Sequence, residues 1–125
     1  MSRLRWTTPL RDDGRRGFAD WVRALRGHDG VYLIRDAASR QILYIGESHT
    51  GRLYETLTRH LYPWTGYGAG PSYDPRFVDV AVLVAETPLD DPVADQYALI
   101  QRYQPPDNVM DGRTLHWRVA RSSLA

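Results

Sequence analysis

Two short apolar runs, "VYLIR" at 31–35 and "QILYIG" at 41–46, are separated only by "DAASR". Both are rich in β-branched and aromatic residues and too short for helices, so they read as strands. Five intervening polar and small residues make an antiparallel hairpin the natural connection. This pair limits the fold more than any other feature, because the remaining segments must pack around it. "FADWVRALRG" places apolar residues at 18, 21, 22 and 25, a helical spacing, with Gly27 as its stop. Thr50 or Ser48 can cap a helix over about 51–60. "FVDVAVLVAE" alternates and then runs apolar, as a central strand does. Asp90 or Asp91 caps a further helix with Pro92 in its first turn, running to about Tyr103 and ended by "QPPDN". "TLHWRVA" has the pattern of a last short strand. The predicted class is α/β: a small mixed or antiparallel sheet, hairpin plus central strand, flanked by helices.

At 125 residues the chain suits one domain, read as an Arg-rich N-terminal extension with a helix (1–27) and a single globular unit (28–125). No stretch approaches the roughly 18 apolar residues of a membrane span, and the N-terminus lacks the apolar core of a signal peptide. With no cysteine, disulfides and thiolate metal sites are excluded, and a cytoplasmic location is expected. Net charge is only +1, but its distribution is uneven. Every basic residue is Arg, seven of them lie in the first 26 residues against three acids, and residues 77–112 hold seven acids and only Arg102. The guanidinium fork suits bidentate phosphate contact.

Tyr32 and Tyr44, one on each predicted hairpin strand, can present hydroxyls to one site if their side chains share a face. Gly30-Val31-Tyr32 followed by Tyr44-Ile45-Gly46 resembles the paired signature of the GIY-YIG nuclease superfamily. The resemblance continues with Arg52 on the following helix and ends with "LIQRYQPPDN" at 99–108, similar to that family's closing helix and Pro-rich turn ending in Asn. It spans about residues 30–108. It implies a metal-dependent endonuclease that hydrolyses DNA phosphodiester bonds with a single Mg²⁺ or Mn²⁺. Tyr32 would handle the proton near the attacking water, Tyr44 would orient it, and Arg52 would clamp the scissile phosphate. The chemistry asks for such groups: a positioned proton carrier, and cationic groups where charge develops on the phosphate.

Arg59 lies seven residues after Arg52 on nearly the same helical face and is expected as a second phosphate contact. His60, bordering that face, can carry a proton in place of the family's His one turn after the Arg, where this chain has Thr56. Asn108 is expected to hold an active-site loop or to contact the phosphate. Arg76, with the aromatics of "YPWTGYGAGPSYDPR", suits contact with unpaired or distorted DNA. The departure from the family is at position 96, where its metal-binding Glu is replaced by Gln96. A neutral amide can coordinate a hard cation but brings no charge. Three arrangements remain open: Gln96 binds metal weakly with help from substrate phosphates, Asp95 or Glu47 replaces the Glu, or catalysis is reduced or lost. The last would leave a nucleic-acid-binding module on a nuclease fold.

Overall fold

The computed structural model describes residues 4–62 and 70–108. The expected strand at "TLHWRVA", Trp117, and Trp64 of the aromatic loop lie outside the described residues. Within them the order is α1 (Asp20–Arg23), β1 (Gly30–Asp36), β2 (Ile42–Ser48), α2 (Leu53–Arg59), a 3₁₀ turn (Pro75–Phe77), β3 (Val78–Val84) and α3 (Pro92–Tyr103). The three strands form one antiparallel sheet in the order β2-β1-β3. No helix among the described residues is long and apolar enough to cross a membrane.

The hairpin forms where the apolar runs place it. Its register sets Tyr32 opposite Gly46 and Ile34 opposite Tyr44, with an irregularity after Ile34. The central strand is β1, not the β3 segment to which the pattern pointed. Apolar residues run through β3 because both its faces are covered, although it lies at an edge. That edge is partly closed by Thr7, which exchanges backbone hydrogen bonds with Val80 at 3.0 and 2.9 Å.

Alternation along the strands divides the core. One face carries Tyr32, Ile34, Val78 and Val80 against Val22, Leu25, Leu53, Leu57 and Leu61. The other carries Val31, Leu33, Ile45 and Ala81 against Leu99 and Ile100, with Leu4 and Trp6 at its margin. Residues 4–27 are thus built into the sheet and both cores. The expected first helix shrinks to four residues, although Phe18, Val22 and Leu25 still turn inward as its spacing predicts. The helix stops at Ala24, and Gly27, at φ +80°, takes the left-handed conformation that closes the turns after it.

The other helices begin as polar residues dictate. Ser48 Oγ accepts the Arg52 N–H at 2.9 Å, and Asp29 accepts the Gly51 N–H at 2.6 Å. Gly51 stands at φ +75°, so its glycine serves this turn. Arg52 is the residue from which α2 starts. In α3, Asp91 accepts the Ala94 N–H at 3.2 Å and Pro92 occupies the first turn, as expected.

Candidate active site

Because strand neighbours two apart share a face, Tyr44 and Gly46 point to the same side, and Tyr32 joins them from across the hairpin. The two phenol rings lie 6.3 Å apart. Gly46 makes this possible. A Cβ there would stand 2.2 Å from both Cζ and the hydroxyl oxygen of Tyr32. The second glycine of the signature is thus the slot in which the first tyrosine lies.

His60, at the C-terminal end of α2, closes the group. Its Nδ1 is 2.8 Å from the Pro71 carbonyl oxygen and its Nε2 is 3.0 Å from the Tyr32 hydroxyl. A carbonyl only accepts, so Nδ1 carries the proton and donates it to Pro71. Burial drives the imidazole pKa down to about 4; the Pro71 bond opposes this and the positive charge of Arg59 assists it. At neutral pH the ring is uncharged, and Nε2 accepts from the Tyr32 hydroxyl. The His60 ring also lies 4.6 Å from that of Tyr44.

Tyr32 is 2% exposed and Tyr44 is half-buried. Burial pushes the Tyr32 phenol well above its ordinary range; the neighbouring Tyr44 and Glu47 add to this, while Arg59 and the Thr56 side chain act against it. Burial likewise raises Tyr44, with Arg59 opposing and Glu47 adding. Both phenols therefore keep their protons at neutral pH. Tyr32 can pass a proton to His60 only as it takes another.

The two arginines stand at different distances from this group. Arg59 is exposed, and its charge is felt at Tyr32, Tyr44 and His60. Arg52, also exposed, stands at the start of α2, about 10 Å away along the axis by helix rise. It does not appear among the charges acting on those three groups. Neither side chain forms an ion pair among the described residues. Thr56, at the position of the family's His, turns its hydroxyl back to the Arg52 carbonyl at 2.9 Å.

Gln96 and Asn108 meet at one peptide. The Asn108 amide accepts from Ile45 N at 2.7 Å and donates to Ile45 O at 2.8 Å, and Gln96 Nε2 donates to the same carbonyl at 3.3 Å. Ile45 lies between Tyr44 and Gly46 on the outer strand, so the two amides take the place of a neighbouring strand there. Of the two roles expected of Asn108 this is the holding one, with its amide oxygen and nitrogen both engaged on Ile45. Gln96 also serves the hairpin. Its NH₂ faces a carbonyl and it brings no charge, while Asp95 is exposed about 100° further round α3. Among the described residues no three His, Asp or Glu side chains converge. The donor set at positions 95 and 96 therefore does not fit the divalent ion that the resemblance implies.

Arg76 is exposed on the 3₁₀ turn and paired with Asp74 at 2.7 Å. Two residues of this region were not apparent from the sequence. Tyr73 donates to the Asp107 carboxylate at 3.0 Å, and both are buried. Burial, then the Asp107 charge, drives the Tyr73 phenol far above its ordinary range, with Tyr44 and Tyr32 adding to the effect. The only signal was an acid beside Asn108 in a Pro-rich turn. No family model, no curated protein and no solved structure matches the chain.

Proposed function

We propose that the chain is a GIY-YIG-type endonuclease that hydrolyses DNA phosphodiester bonds in the cytoplasm. The supporting observation is the Tyr32 hydroxyl held 3.0 Å from His60 Nε2, with Nδ1 fixed on Pro71 and the Arg59 charge nearby. A water attacking the phosphorus in line gives up a proton to the Tyr32 phenol oxygen as Tyr32 passes its own to His60 Nε2. Tyr44, the more accessible phenol, orients the water. Arg59, with Arg52 further along α2, meets the charge that grows on the phosphoryl oxygens. The 3′ oxygen leaves and is protonated from solvent, while His60, with its low pKa, returns its proton to the Tyr32 oxygen as Tyr32 releases the one taken from water to solvent. The products are 5′-phosphate and 3′-hydroxyl ends. No step here passes through an ion at positions 95 and 96.

The test is cleavage of end-labelled duplex, single-stranded and branched DNA, with end groups analysed after Mg²⁺ or Mn²⁺ addition. Nicked products bearing 5′-phosphates are expected. A chain that binds DNA but cuts none of the three substrates would instead be the binding module, the second reading, which the hydrogen-bonded neutral Gln96 favours.

A further inference from the structure

Glu47 follows Ile45 on the α3-facing side of β2, and His49, just beyond the strand, continues the same two-residue alternation. His49 Nδ1 lies 3.0 and 3.2 Å from the two Glu47 carboxylate oxygens. Helix α3 runs back along this strand. Gln96 bonds the Ile45 carbonyl, and the charge of Asp91, where α3 starts, is felt at His49. Glu47 thus sits in the seam between Gln96 and the start of the helix. Its charge also reaches both Tyr32 and Tyr44.

We propose that Glu47 and His49 together hold a divalent transition-metal ion at the β2–α3 seam, serving in place of the carboxylate that position 96 lacks. The spacing of the donors fits. Adjacent ligands of an octahedral ion with bonds near 2.1 Å stand about 3 Å apart, and a cation can replace the proton now shared between the two side chains. The Glu47 side chain is 17% exposed and that of His49 60%, so the pair opens to solvent. Two protein ligands leave the other positions to water and phosphate oxygens, the usual mode for ions that act on phosphates. The imidazole nitrogen favours a transition ion over Mg²⁺, which prefers oxygen. Position 96 supplies at most a neutral amide oxygen, without the charge that Glu47 brings.

The purpose of this site rests on the nuclease reading, but its test needs no DNA. Mn²⁺ alone is titrated into the full chain, with free ion followed by electron paramagnetic resonance and His49 ring signals by NMR. One saturable site is expected, with His49 broadened first and Mg²⁺ competing at least tenfold more weakly. Glu47→Gln and His49→Ala, both on partly exposed side chains and checked for unchanged Tm, should each weaken binding tenfold or more, and Gln96→Glu should not strengthen it. Absence of saturable binding, binding untouched by both variants, or tight binding that appears only in Gln96→Glu would each overturn the proposal. Mn²⁺ bound at this pair by a chain that cuts no DNA would leave the site standing and refute the nuclease reading.

Discussion

Replacing Gly46 by Ala tests the packing that joins the two signature triplets. The added methyl would lie 2.2 Å from Cζ and the hydroxyl oxygen of Tyr32, where ordinary contact begins at 3.4 Å, so the ring must retreat by about 1.2 Å. A 3.0 Å hydrogen bond to His60 does not survive such a shift. Overpacking in a filled core costs about 1–3 kcal/mol, and a buried polar pair separated without replacement costs about 1–3 kcal/mol more. The variant should therefore be about 2–6 kcal/mol less stable. At about 4 °C per kcal/mol for a domain of this size, Tm should fall by roughly 8–24 °C. Urea unfolding gives the free energy, and ¹⁵N NMR of the His60 ring reports whether Nε2 has lost its donor. A variant within 2 °C of the parent, with unchanged His60 signals, would refute the placement of Tyr32 over Gly46.

Three further outcomes follow from the same geometry. His60 has its folded pKa lowered from 6.5 to about 4, so between these values the unfolded chain binds the additional proton. Stability should be unaffected by this group above pH 6.5 and should fall as pH drops towards 4, by up to about 3 kcal/mol, measured by unfolding across that window. Asn108→Ala leaves the Ile45 N–H and C=O without their 2.7 and 2.8 Å partners; it should cost about 1–3 kcal/mol and raise amide exchange at Ile45, whereas unchanged exchange would argue against the clamp. Arg59→Ala should reduce DNA cleavage more than Arg52→Ala in parallel rate measurements, and the reverse order would return the clamping role to Arg52.

What could be read in advance was whatever depends on local pattern. The hairpin followed from two β-rich runs across five residues, and α3 from an Asp before Pro92 and an amphipathic stretch. The shared face of Tyr32 and Tyr44 was left conditional, because it needs the hairpin register, which sets Tyr32 opposite Gly46. What remained hidden depends on chain segments far apart in sequence. The Pro71 carbonyl that fixes the His60 tautomer, the Tyr73–Asp107 pair and the engagement of Gln96 with Ile45 join residues 11, 34 and 51 positions apart. The first helix was overestimated because its inward contacts at 18, 22 and 25 persist when only one turn is helical. The edge position of β3 was concealed because its residues enter both core clusters and Thr7 pairs along its outer side.

The central claim is that Tyr32 relays a proton to His60 during phosphodiester hydrolysis. Single-turnover cleavage of an end-labelled DNA by Tyr32→Phe measures this most directly, since the ring stays and only the hydroxyl goes. General acid–base groups contribute about 10²–10⁴ in rate, so the variant should cleave at least about a hundredfold more slowly while DNA affinity is unchanged. Cleavage by Tyr32→Phe at the rate of the parent chain would contradict the account.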